Sequence, residues 1–103
     1  MNVLLALFLA TAQPRVVDIS AKRFAFTPSE VHLRAGEPVI IRLTSTDRAH
    51  GLFVKELHIE LDANVNEPDS ITITPDHAGT YTAICDQYCG SGHGSMKMKF
   101  IVD

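Results

Sequence analysis

Two cysteines, one histidine and one methionine are concentrated in a short segment near the end of the sequence. Cys85, Cys89, His93 and Met96 are spaced four, four and three residues apart. Thiolate, imidazole and thioether groups favour copper, whereas a carboxylate-rich loop would favour calcium or magnesium. Glycine and serine residues between positions 90 and 95 let the backbone curl, so that these side chains can face one point. The segment therefore indicates a metal site with sulfur and nitrogen ligands.

A second histidine lies upstream, in the segment Thr46–Gly51. The pattern places His50 at the end of a predicted strand and next to a turn, where one end of a β-sandwich could bring it to the later loop. Two histidines, two cysteines and a methionine exceed the two His, one Cys and weak axial Met of a blue-copper site. The extra thiolate suggests either two metals bridged by sulfur or a second cysteine that does not bind metal.

Two other interpretations of the cysteines stay open on the residues alone. In an exported protein, an even number of cysteines favours a disulfide between Cys85 and Cys89. A tetrahedral zinc site could use Cys85, Cys89, His93 and His50, but zinc would give Met96 no role. The histidine and methionine at ligand spacing favour copper over both alternatives.

Short apolar segments with a period of two must position these ligands. The alternation is clearest at 39–44 and at 96–102, where Met98 is predicted to be a core residue and Lys97 and Lys99 to face solvent. Similar segments occur at 16–19, 24–26, 31–33, 57–61, 71–74 and 81–84. About seven short strands, separated by turn signals and without helical periodicity, predict an all-β sandwich. His32, His58 and His77 lie apart from the cysteines and are predicted to be exposed.

The composition fits one folded domain. The 103 residues are 46% hydrophobic and 20% charged, and 9 Lys plus Arg against 12 Asp plus Glu give a net charge of −3. No clustered basic surface is expected, so no nucleic-acid partner is expected, and the acidic balance suits a basic protein partner. The sequence offers no set of nucleophile, base and orienting group, so a hydrolase is not expected. We also expect no substrate turnover from this chain alone.

Residues 1–12 are expected to be a signal peptide or a short N-terminal apolar segment. An apolar run over 3–10 precedes the small-residue cleavage pattern Ala10-Thr11-Ala12. The run is shorter than the roughly 20 apolar residues of a spanning helix, so no transmembrane helix is expected. We therefore expect residues 13–103 to form a single exported domain, in the periplasm or at the outer face of the cytoplasmic membrane.

The motif C-x3-C-x3-H-x2-M, together with the upstream D-x2-H of Asp47 and His50, resembles the CuA domain of cytochrome c oxidase subunit II and of nitrous oxide reductase. The resemblance implies a cupredoxin-like Greek-key β-sandwich that holds two copper ions. Asp47 would support the site without binding metal. The implied ligands are two bridging thiolates, two terminal imidazoles and two weak axial groups, namely Cys85 and Cys89, His50 and His93, and Met96 and the backbone carbonyl of Gln87.

The same resemblance implies one-electron transfer, by a carrier or by the electron-entry domain of a respiratory oxidase or reductase. The implied partners are a c-type cytochrome or other small redox protein, and a terminal oxidase or reductase subunit. An alternative function is copper delivery during assembly of a respiratory copper enzyme. Oxidase members usually carry glutamate where Gln87 stands, use tryptophan for electron entry, and have two preceding transmembrane helices. This sequence has Gln87 at that position, contains no tryptophan, and shows no such helices before the domain. These three differences favour a detached or secreted relative over a standard oxidase subunit.

Overall fold

The computed structural model of the protein describes residues 14–86 and 95–103. These residues contain nine strands and one short 3-10 helix. In chain order the strands are β1 (Arg15–Lys22), β2 (Ala25–Thr27), β3 (Glu30–Leu33), β4 (Val39–Ser45), β5 (His50–Val54), β6 (Ile59–Ala63), β7 (Asp69–Ile73), β8 (Gly79–Ile84) and β9 (Lys97–Val102), with the 3-10 helix Lys55–Leu57 between β5 and β6.

The strands form two sheets that enclose one hydrophobic core. The order of strands is β2-β1-β4-β7 in the first sheet and β3-β9-β8-β5-β6 in the second. Most neighbours are antiparallel, whereas the β1–β4 and β3–β9 pairs are parallel. Because both sheets contribute one apolar face to the core, the predicted all-β sandwich is confirmed.

Alternation along the strands separates core from surface. Val39, Ile41 and Leu43 of β4 are buried, and so are Met98, Phe100 and Val102 of β9. Full burial of such side chains stabilises the fold by about 1.5–3 kcal/mol each. Lys97 and Lys99 are exposed, as predicted. The predicted exposure of His32, His58 and His77 is likewise confirmed.

Two local predictions are wrong. His50 does not end a strand but begins β5, and the whole segment His50–Val54 is a strand that the sequence pattern did not indicate. The segment 57–61 is not one strand, because Lys55–Leu57 forms a 3-10 helix, with His58 as its C-cap residue. His58 adopts the left-handed conformation with φ 57°, which turns the chain so that β6 begins only at Ile59.

Residues 14–86 and 95–103 contain no helix that is both long and apolar enough to span a bilayer. The expected signal segment 1–12 lies outside the described residues, and so do three predicted ligands, Gln87, Cys89 and His93.

Candidate metal centre

One end of the sandwich brings together three of the predicted ligands. His50 is the first residue of β5. Cys85 directly follows β8, and Met96 directly precedes β9. Because Ile84 and Lys97 are partners in the β8–β9 ladder, Cys85 and Met96 face each other across it, and the Cys85 N–H donates to the Met96 carbonyl at 3.2 Å. We call this the metal end of the sandwich.

The imidazole of His50 is fully buried and faces the Cys85 thiol. The Nδ1 atom of His50 lies 3.9 Å from the Sγ atom of Cys85. Cys85 is 4% exposed and Met96 is 1% exposed, so water is largely excluded around the sulfur atoms. A metal–nitrogen and a metal–sulfur bond together span about 4.3 Å, so one ion could reach both atoms. Strands far apart in sequence thus bring a nitrogen and a sulfur donor to one buried point.

Asp47 orients the His50 ring and selects its neutral tautomer. Its Oδ1 atom lies 2.7 Å from Nε2 of His50, and its Oδ2 atom accepts from the Arg23 N–H at 2.9 Å. A carboxylate only accepts hydrogen bonds, so Nε2 carries the ring proton and donates a hydrogen bond to Asp47. In the neutral ring, Nδ1 then keeps its lone pair toward Cys85. Carboxylates that orient ligating histidines in this way are typical of metal sites.

Asp47 is held in its charged form. Burial opposes ionisation and raises the pKa of this carboxyl group, but the Arg23 amide and the His50 ring, with a further contribution from the Arg48 amide, lower it by more. The net pKa of Asp47 is therefore below its ordinary value. The Asp47 side chain is 32% exposed, so this anion stays partly hydrated while it bonds the buried imidazole.

Gly51 and Asp86 also shape the metal end, and the sequence analysis did not identify either residue. A Cβ atom at Gly51 would lie 1.7 Å from Oδ1 of Asp86 and 3.2 Å from Oδ1 of Asp62. The Asp86 carboxylate therefore occupies the space that a side chain at Gly51 would fill. Asp86 directly follows Cys85, so Gly51 leaves room for the chain as it passes the candidate ligand. The His-Gly pair that opens β5 is the sequence signal for this close approach.

The described ligands suit copper by their chemistry. His50 offers an unprotonated imidazole nitrogen, Cys85 a buried thiol and Met96 a buried thioether, all of which copper accepts. Within the part of the chain that the structure describes, no group of three or more His, Cys, Asp or Glu side chains could hold a metal. His50 and Cys85 are the two predicted ligands of those types in that part. The arrangement provides a nitrogen–sulfur pair to which the segment 87–94 would have to add donors.

Comparison with known proteins places the whole chain in one family. The sequence profile described as Cupredoxin-like domain matches residues 2–102. Cytochrome c oxidase subunit 2 of Thermus thermophilus is 31% identical over 80 residues, which cover 78% of this chain and 59% of that protein. A second subunit 2 from a Thermus thermophilus strain matches at the same identity, and the chain covers 48% of it. The chain thus spans about half of the length of these relatives.

Solved structures agree with this relationship. A chain of a heme-copper terminal oxidase dimer superposes with a TM-score of 0.78 at 25% identity, over 86% of this chain and 65% of that chain. The periplasmic domain of cytochrome oxidase subunit II from Bradyrhizobium japonicum superposes with a TM-score of 0.79 at 13% identity, over 86% and 83% of the two chains. The second likeness supports the fold alone. The chain therefore belongs to the cupredoxin-like domain family and is homologous to the soluble domain of cytochrome c oxidase subunit II.

Proposed function

We propose that this chain carries a dinuclear copper centre of the CuA type and transfers single electrons in a respiratory oxidase or reductase. The observation that carries the proposal is the buried contact between Nδ1 of His50 and Sγ of Cys85, with the opposite ring nitrogen bonded to Asp47. What marks His50 as a candidate ligand is that its imidazole is fully buried and is oriented by this carboxylate, as ligating histidines usually are. The homology to oxidase subunit II supports the same role.

The proposed ligand set combines described residues with residues of the segment 87–94. The two copper ions would be held by the thiolates of Cys85 and Cys89, which they would share, and by the imidazoles of His50 and His93. Met96 and the backbone carbonyl of Gln87 would be the two weak ligands.

In the mechanism, the protein holds these donor atoms in fixed positions and excludes water from them. When bound, the copper pair supplies one-electron redox chemistry. His50 lies at the start of β5, and Cys85 and Met96 flank the β8–β9 ladder, so paired strands restrain all three residues. Within the same strand as His50, Leu52 is fully buried and Phe53 partly buried. Rigid ligands and low water access keep the rearrangement between the two redox states small, which favours fast electron transfer.

The partners and the location follow from the homology as part of the proposal. The relative in Thermus thermophilus is an oxidase subunit, so the acceptor proposed here is a terminal oxidase or reductase. The donor is a c-type cytochrome or another small redox protein, for which the net charge of −3 suits a basic surface. Residues 13–103 would act outside the cytoplasmic membrane, and residues 1–12 would direct export.

Copper counting combined with a reductive titration tests this function. The chain is reduced, loaded with copper and freed of excess metal, and copper, zinc and reactive thiols are then counted per chain. We expect two copper ions that accept one electron on reduction, and loss of this behaviour in His50→Ala. The matched control is His77→Ala, because His77 also bonds an aspartate but is exposed. One Cu(I) per chain would instead indicate a delivery protein. Retained zinc would indicate a structural zinc site, and two blocked thiols without metal would indicate a disulfide.

A further inference from the structure

The turn that carries Asp47 is organised by one hydroxyl group, that of Ser45. This residue ends β4 and is 9% exposed. Its Oγ atom accepts from the N–H of Asp47 at 3.4 Å and from the N–H of Arg48 at 3.3 Å. The same hydroxyl donates to the carbonyl oxygen of Arg48. A serine hydroxyl has one donor and two acceptor sites, so these contacts use its full capacity.

The turn is also tied to β1 and to the residue that follows it. Ser45 pairs with Ala21 in the β1–β4 ladder, and the Thr46 N–H donates to the Ala21 carbonyl at 3.2 Å. Arg23, which directly follows β1, donates its N–H to Oδ2 of Asp47. The Asp47 carboxylate is therefore fixed by its own backbone, through Ser45, and by the residue that follows β1.

We propose that Ser45 is a positioning residue for the metal centre, because its hydroxyl holds Asp47 where it can set the tautomer of His50. The proposal rests on the proposed function, in which His50 binds copper. The chain of contacts runs from the Ser45 hydroxyl to the Asp47 backbone, and from the Asp47 carboxylate to Nε2 of His50. Its consequence is that Nδ1 faces Cys85 with a lone pair before any metal arrives.

Loss of the hydroxyl leaves three backbone groups of the turn without their partner. The amides of Asp47 and Arg48 and the Arg48 carbonyl would have to find water or other partners. That rearrangement moves the Asp47 carboxylate, and Nε2 of His50 is then no longer the preferred position of the ring proton. Removal of groups that orient metal ligands weakens metal binding by about 10–100-fold. Since Ser45 acts through Asp47, we expect a loss of about tenfold.

Ser45→Thr and Ser45→Val provide a matched pair of variants. Both substitutions add one methyl group on Cβ at a nearly buried position, but threonine keeps the hydroxyl whereas valine replaces it with a second methyl group. Any steric effect of the extra carbon is therefore common to the two variants. Ser45→Ala, which adds no atom, provides a third variant that removes the hydroxyl without crowding the site.

The primary readout is the tautomer of the His50 ring, that is, which ring nitrogen carries the proton, in the copper-free, reduced protein, measured by nitrogen NMR. We expect Nε2–H as the dominant tautomer in the native protein and in Ser45→Thr, and mixed tautomers in Ser45→Val and Ser45→Ala. Copper affinity, measured by competition with a chelator, should fall about tenfold from the threonine to the valine variant. The His77 ring reports any general change and should keep its signals in every variant.

Equal tautomer populations and equal copper affinities in the threonine and valine variants would overturn the positioning role. Hydrogen exchange in the native protein decides the matter if the variants fail to fold. The Asp47 and Arg48 amides should exchange at least tenfold more slowly than unprotected amides, and unprotected rates would overturn the proposal. A native protein that holds fewer than two copper ions would refute the proposed function instead. The tautomer measurement in the copper-free protein would still test whether Ser45 positions Asp47 against His50.

Discussion

Replacement of Asp47 by asparagine tests how the protein prepares His50 for metal. The side chain keeps its shape but has one acceptor oxygen instead of two. In the native structure both oxygens are used, Oδ1 by Nε2 of His50 and Oδ2 by the Arg23 N–H. The Arg23 amide can only donate, so the asparagine oxygen must face Arg23. In the other orientation the asparagine NH2 group would face the Arg23 N–H, donor against donor. With the oxygen toward Arg23, the asparagine NH2 group faces His50 and needs an acceptor at Nε2. The ring proton then moves to Nδ1, which faces Cys85.

The size of the effect follows from these two hydrogen bonds. A hydrogen bond to a charged group contributes about 1.5–3 kcal/mol to stability. Asparagine keeps the bond to Arg23 and forms a reversed bond to Nε2, both without a charge, and the Asp47 side chain is 32% exposed, so only part of the contribution of the charged bonds is lost. We therefore expect the free energy of unfolding of the copper-free protein to fall by about 1–2 kcal/mol. Copper affinity should fall by about 10–100-fold, because the lone pair on Nδ1 is no longer available in the favoured tautomer.

Urea denaturation of the copper-free protein and chelator competition with copper measure the two quantities. Asp76→Asn is the matched control, since Asp76 bonds the His77 ring at 2.9 Å but both side chains are exposed. We expect the control to leave copper affinity and the cooperative unfolding transition unchanged. An Asp47→Asn protein that matches the native protein in copper affinity and keeps the proton on Nε2 would refute this reasoning.

Three further results are expected. Met96→Leu should shift the reduction potential of the copper-loaded protein, whereas Met98→Leu should not, because both residues are buried but only Met96 is a proposed ligand. Each substitution should lower the free energy of unfolding by less than about 1.5 kcal/mol, and equal reduction potentials in the two variants would contradict the assignment of Met96. Gly51→Ala should cost about 1 kcal/mol, since a Cβ atom 1.7 Å from Oδ1 of Asp86 forces that side chain to rotate; an unchanged unfolding midpoint would show that the contact is not restrictive. In the copper-free protein, burial opposes ionisation of Asp47, but its hydrogen bonds lower the pKa of the carboxyl group below 3.8. Its contribution to stability should therefore be complete above about pH 4 and disappear as the pH falls through the folded-state pKa. Denaturation curves over a pH series would contradict this if the free energy of unfolding of Asp47→Asn fell in acid as steeply as that of the native protein.

Period-two alternation predicted the strands that bury one face. β4 and β9 each place alternate apolar residues in the core, so their sequences reveal both their type and their orientation. β5 escaped prediction because it lies between β8 and β6 in its sheet and is buried at four of its five positions, including Gly51 beneath Asp86. The parallel β1–β4 and β3–β9 pairs were not predicted, because alternation does not report the direction of a neighbouring strand.

The site was predictable where residue type determines the chemistry. The thiol, imidazole and thioether groups identified His50, Cys85 and Met96 as candidate ligands, and the structure brings His50 and Cys85 into contact. Ser45 and Gly51 were not identified, because their roles depend on backbone groups and on a carboxylate that approach only in the folded chain. A hydroxyl that organises a turn has no distinctive spacing in sequence, and the glycine after His50 does not by itself reveal which side chain fills the space beside it.

Electron paramagnetic resonance of the copper-loaded native protein tests the central proposal most directly. If His50 and Cys85 belong to a dinuclear centre, the oxidised protein should show a single unpaired electron coupled equally to two copper nuclei. Cys85→Ser should abolish this coupling, because one remaining sulfur cannot bridge both ions. A spectrum from one copper nucleus in the native protein, or an unchanged two-nucleus spectrum in the serine variant, would contradict the proposed centre.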